Sequence, residues 1–168
     1  MTSVAPAGGT ASAQQVLEVL AQVTDPEIPV LTIADLGVLR DVVVDGGRIV
    51  VTVTPTYSGC PAMDEIRADV LAALGAHGWH DAEVRTVLAP AWTTDWMTED
   101  GRRKLQEYGI APPGRVDGPV LVQLRPRVGC PQCGSSDTEE VTRFGSTSCK
   151  SMWRCRSCRE PFDHFKAH

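Results

Sequence analysis

Six cysteines hold most of the metal-binding and nucleophilic chemistry in this 168-residue chain. Four of them form two CxxC pairs, Cys130-Pro131-Gln132-Cys133 and Cys155-Arg156-Ser157-Cys158, separated by residues 134–154. Each pair makes a tight knuckle that aims two thiolates at one point. A hairpin, expected over Glu139–Phe144 and Met152–Arg154, would bring the knuckles together. Four thiolates at ~2.3 Å then close a tetrahedral shell, the geometry of structural zinc. The spacing is close to the zinc-ribbon pattern. So small a unit cannot build a large core, so the metal would hold it folded. A disulfide pair or a thioredoxin-like site fits less well: nothing suggests an oxidising compartment, and neither CxxC lies in a βαβ context. A rubredoxin-like iron site or an iron–sulfur cluster uses the same four cysteines and stays open beside zinc.

The other two cysteines stand alone. Cys60 lies in Thr52–Met63, which runs from strand through a Pro-Thr-Tyr-Ser-Gly turn into an apolar-periodic helix. Proline suits the first helical position, which places Cys60 at the N-cap. There the positive end of the helix dipole would favour thiolate over thiol. Cys60 is then a reactive thiolate or soft-metal ligand; as a small residue packed behind a turn it would be inert. Cys149, in FGSTSCK, is either a buried spare thiol or an alternative ligand. His164 and His168 are left unassigned. The loop Asp25–Gly37 carries Asp25, Glu27 and Asp35. These acids either serve local turn chemistry or form an acidic lip beside the Cys60 thiol.

The elements that must position these groups can be read in order. Residues 1–12 read as a disordered tail, poor in side chains to bury. Ser12 and Gln15 form a capping box for a helix with Val16, Leu17, Leu20 and Val23 on one face, ending at Asp25-Pro26. Val38–Val44 and Arg48–Thr54, split by Asp45-Gly46-Gly47, form a hairpin, with Ile49, Val51 and Val53 on one face. A second helix from Pro61 to Leu74 buries Met63, Ile66, Val70 and Leu74, with Gly75 at its C-terminal cap. Ala82–Leu88 is a third strand. The order is helix, strand, strand, helix, strand, an α+β layer. Ala89–Pro113 adds Trp92 and Trp96 and a short helix capped by Thr98, with Leu105 and Tyr108 facing inward. It is a flap on the first domain, an aromatic docking surface for a partner, or both. Pro112-Pro113-Gly114 marks a linker. The expected division is 13–114 for the α+β domain with its Trp-rich segment and 115–168 for the four-cysteine β unit.

A net charge of −5 argues against a nucleic-acid backbone binder. No apolar run approaches the ~20 residues that span a bilayer, and no signal-peptide pattern opens the chain. A cytoplasmic location is expected.

The stretches DPEIP, DLG and TPTYSGCP resemble the MIP18-like (DUF59) family, whose members take part in iron–sulfur cluster assembly or delivery. The cysteine matching Cys60 is that family's functional residue. PAWTTDWMTEDGRRKLQEYGIAPP and FGSTSCKSMWRCRSCREPFDHFK resemble one branch, the D subunits of bacterial phenylacetyl-CoA ring 1,2-epoxidases of phenylacetate catabolism. The resemblance spans about Val16 to Lys166. It implies an accessory or maturation subunit of a multicomponent oxygenase. Cys60, with Cys149 as a second thiol, would transiently hold iron or a cluster beside a structural zinc, and the reductase subunit would be the leading client. The chain has no paired Glu-x-x-His motif and no dinucleotide fingerprint, so oxygen chemistry of its own is not expected. A noncatalytic scaffold, or a redox carrier with iron in the four-cysteine unit, are the alternatives.

Overall fold

The structure, a computed structural model, describes residues 11–114 and 127–167. Most of the expected tail, the stretch Val120–Leu124 expected to open the second unit, and His168 lie outside the described residues. The chain divides into two compact units, Met1–Ala91 and Trp92–His168.

The first unit opens with α1 (Ala13–Leu20). Ser12 Oγ accepts the Gln15 N–H at 3.2 Å, and Gln15 Oε1 accepts the Ser12 N–H at 3.0 Å. Two otherwise orphaned donors are thereby satisfied. Val16 and Leu20 are fully buried, while Leu17 is exposed. One residue past Val16, it is turned about 100° off the buried stripe. The helix stops at Leu20, before Asp25-Pro26, because Gln22 and Val23 already tighten to i−3 carbonyls. Strands β1 (Leu39–Asp45) and β2 (Arg48–Val53) form the expected hairpin. Its two-residue turn places Gly46 and Gly47 at φ +56° and +94°, conformations that favour glycine at both positions. Ile49, Val51 and Val53 are fully buried.

Helix α2 (Ala62–Ala76) then crosses over to β3 (Ala82–Thr86). The crossover is required because β3 pairs parallel to β2, in the order β1-β2-β3. Ala62, Ile66, Val70 and Leu74 make the buried stripe, and Met63 is only half-buried. The helix runs through Gly75; Gly78, at φ +80°, takes the left-handed position beyond its end. Helix α1 packs on α2 and β1, and α2 on β3. Arg67 fastens α2 to the edge strand, donating to the Val84 carbonyl at 3.0 Å and Thr86 Oγ1 at 3.2 Å. The helix–strand–strand–helix–strand order is as expected.

The second unit begins at Trp92, so the Trp-rich segment clusters with the ribbon, whereas the sequence pattern assigned it to the first domain. The cause is a short strand. After α3 (Glu99–Tyr108), β4 (Ile110–Ala111) pairs parallel with the last strand of the ribbon. The sheet order is β4-β7-β6-β5, with β5 Thr138–Thr142, β6 Lys150–Cys155 and β7 Pro161–Phe165. Thr98 caps α3 by accepting the Gly101 N–H at 3.0 Å. Arg102 ties the segment down through the carbonyls of Pro113 at 2.6 Å and Thr94 at 2.7 Å. Leu105 is buried, but Tyr108 faces solvent. A small core of Ala111, Val128, Cys130, Trp153, Cys155 and Phe162 closes the unit. No helix among the described residues is long and apolar enough to cross a membrane.

Candidate metal centre and thiol site

The four paired cysteines converge. Cys130 Sγ lies 3.7 Å from Cys158 Sγ, and Cys133 Sγ 3.6 Å from Cys155 Sγ. All four sulfurs lie within 4.8 Å of one another. Four thiolates bound tetrahedrally at ~2.3 Å from one ion sit about 3.8 Å apart, so the shell is sized for a single ion. A polynuclear cluster hangs its cysteines on separate irons bridged by sulfide, which spreads the sulfurs beyond this arrangement. The knuckles are built alike. The first cysteine of each donates its N–H to the carbonyl five residues on, Cys130 to Ser135 at 2.9 Å and Cys155 to Glu160 at 3.0 Å. The residue after each second cysteine, Gly134 or Arg159, takes positive φ, +74° and +69°. Cys130 and Cys155 are buried; Cys133 and Cys158 are exposed.

The sulfurs compete for charge. The Cys158 N–H holds the Cys155 thiol down at about 6. At Cys158 the Glu160 N–H favours the thiolate, yet partial desolvation and the neighbouring sulfurs of Cys155, Cys133 and Cys130 push it up to about 12. Four sulfurs this close cannot all ionise unless a cation joins them, and metal binding does so by displacing their protons.

Cys60 is half-buried in the turn before α2. Pro61, not Cys60, is the N-cap, with helical dihedrals and no side-chain cap. The helix end still acts on the sulfur, because the Ala62 N–H and the Thr56 hydroxyl both favour its thiolate. The sign of its shift is nevertheless opposite to the dipole expectation. Burial pushes the Cys60 thiol up, against the Ala62 N–H; Glu27 pushes it up further, Thr56 pulls it down, and Asp25 adds a smaller upward push. Two of the three loop acids thus act on the sulfur. Asp25 Oδ1 also accepts the N–H groups of Glu27 at 2.9 Å and Ile28 at 2.8 Å. Asp35 and Thr32 bond each other's backbone N–H at 3.0 Å, so Asp35 performs turn chemistry. Thr56 carries no marker in the sequence; only the folded turn brings its hydroxyl to the thiol.

Cys149 is buried and bonded to Thr147 Oγ1 at 3.0 Å, outside the four-sulfur shell. Trp92 is buried, tilted on Phe165 with centroids 6.1 Å apart, and Trp96 is half-buried. Trp92 therefore serves the second unit's own packing.

His164, on β7, is only 7% exposed, with Nδ1 3.3 Å from Ser151 Oγ and its ring edge-on to Trp153. Burial holds its pKa at about 4. The unfolded chain, at ~6.5, binds that proton sooner. Stability from a neutral His164 is therefore complete above about pH 6.5 and is lost as the pH falls towards 4, by up to about 3 kcal/mol. Thermal unfolding of wild type and His164→Asn across that range should show a shallower acid loss in the variant. Metal release is common to both; parallel profiles would refute the assignment.

Comparison with known proteins defines the class first. Residues 13–86 match the family model of the iron–sulfur cluster assembly protein. A solved DUF59 domain of unknown function from Bacillus anthracis is 30% identical, covering 55% of this chain and 90% of that one, with TM-score 0.52. An Fe-S protein maturation auxiliary factor of Porphyromonas gingivalis is 34% identical over 55% of this chain and 89% of its own length. The first unit is thus a DUF59 domain. Residues 117–166 match the PaaD zinc beta ribbon domain. A protein of Escherichia coli K12, described as the D subunit of a 1,2-phenylacetyl-CoA epoxidase, is 49% identical over 90% of this chain and 91% of its own length. The chain belongs to the family of phenylacetyl-CoA epoxidase D subunits.

Proposed function

We propose that this chain is an accessory subunit of a phenylacetyl-CoA epoxidase system, handling iron or iron–sulfur cargo for another subunit. One observation carries the reading. Within the unit that resembles iron–sulfur maturation factors, Cys60 is the sole cysteine, and it is not one of the four clustered sulfurs. A single half-buried thiol beside Glu27 and Asp25 suits transient holding. Its proton is retained until cargo displaces it, and the two carboxylates disfavour build-up of negative charge at the sulfur. The four cysteines of the ribbon would hold zinc, supplying folding stability and no redox chemistry.

Cys60→Ser tests the role of the thiol. A serine oxygen can accept the same Ala62 N–H, so the stability loss should stay at or below about 1 kcal/mol. Growth on phenylacetate should nevertheless fail. Normal growth at native protein level would return Cys60 to a packing role.

A further inference from the structure

The β5–β6 hairpin presents an apolar tip to solvent. Phe144 is 73% exposed, Val141 57% and Met152 39%. Strand β5 is the outer strand of its sheet, and its register breaks between Glu140 and Thr142, bulging Val141 out of the ladder. Thr142 pairs with Met152, so both apolar side chains lie at the same end of the hairpin. Phe144 follows in the loop and is held there. Its N–H meets Thr142 Oγ1 at 3.3 Å, and the Lys166 ammonium lies 5.1 Å from its ring centroid while donating to the Arg143 carbonyl at 3.2 Å. An aromatic ring that is fixed in place yet left in water is the form an interface anchor takes.

The charges around it name the partner's chemistry. Elsewhere on this sheet the cations are matched: Arg154 and Arg156 both bind Glu139, and Lys150 pairs with Asp163 at 3.6 Å. Arg143, next to Phe144 in the chain, and Lys166, over its ring, have no carboxylate in ion-pair range among the described residues. The bulge also interrupts the edge, which disfavours strand addition. We propose that this hairpin tip docks an acidic face of another epoxidase subunit: Phe144 enters an apolar pocket while Arg143 and Lys166 meet carboxylates.

This rests on the accessory role above. Binding of the full-length chain to each purified epoxidase subunit should be measured at low and high salt. The variants are Phe144→Ala and the pair Arg143→Glu with Lys166→Glu. Each variant should weaken binding at least about tenfold, and wild-type binding should fall steeply with salt. Metal content and thermal unfolding should match wild type, since all three side chains lie outside the core. A subunit that binds both variants as it binds wild type would overturn the surface and leave the accessory role standing. A change confined to self-association, seen by sedimentation, would make the occupant a second copy and overturn the acidic-subunit assignment. If wild type binds no subunit, the accessory role falls and the surface with it.

Discussion

Cys130→Ser is expected to empty the metal centre and unfold the ribbon while the first unit stays folded. Cys130 is 1% exposed and belongs both to the sulfur shell and to the six-residue core of the second unit. Serine replaces a soft thiolate with a poor ligand that does not ionise at neutral pH. Binding energies of about 10–16 kcal/mol for structural zinc in small domains act as folding energy, far more than the few side chains of this core supply. The first unit has its own core of fully buried residues from Val16 to Leu74 and does not share this loss. Wild type purified without air should carry one zinc per chain by elemental analysis and be colourless; the variant should carry none. Limited proteolysis should then cut the variant in the ribbon and spare a fragment containing residues 13–86. Stoichiometric iron with visible thiolate absorption in wild type would overturn zinc. Retained metal and an uncut ribbon in the variant would overturn the four-cysteine shell.

Much of this was legible because the signals are local. A CxxC knuckle, the Gly46-Gly47 turn and the Ser12 capping box each depend on a few adjacent residues, and each forms as expected. What the sequence hid is set by distant partners. Ile110–Ala111 is too short to show periodicity, and only pairing with Asp163 and His164 makes it a strand. That pairing moves the Trp-rich segment into the second unit. Trp92 looks like a docking residue until Phe165 covers it. Cys60 shows the same limit in electrostatics. Its position before a helix predicts a favoured thiolate, and the Ala62 N–H does act in that direction. Burial outweighs it, and neither burial nor the approach of Glu27 and Asp25 is written in the spacing.

The second large effect should appear in a different protein. In cells lacking this chain, or carrying Cys60→Ser, we expect the reductase subunit of the oxygenase to be purified short of iron and acid-labile sulfide, with a weakened visible spectrum. The reasoning is ligand exchange. A lone thiol whose proton is held above its ordinary range by burial and by Glu27 and Asp25 should bind iron or a cluster loosely, because cargo must displace that proton. A client site with preorganised thiolates would carry no such cost, so transfer would run towards it. A metal held by the ribbon shell would not compete, since the four sulfurs there are placed to close on one ion. The chain alone should show no epoxidation of phenylacetyl-CoA. Restoring wild-type chain should refill the reductase; restoring Cys60→Ser should not, although its ribbon metal is intact. A fully loaded reductase from cells without the chain, in an assembled enzyme that is still inactive, would rule out this client. The deficit would then lie in the metal of another epoxidase subunit, measurable on the same preparation, or in assembly of the complex through the second unit.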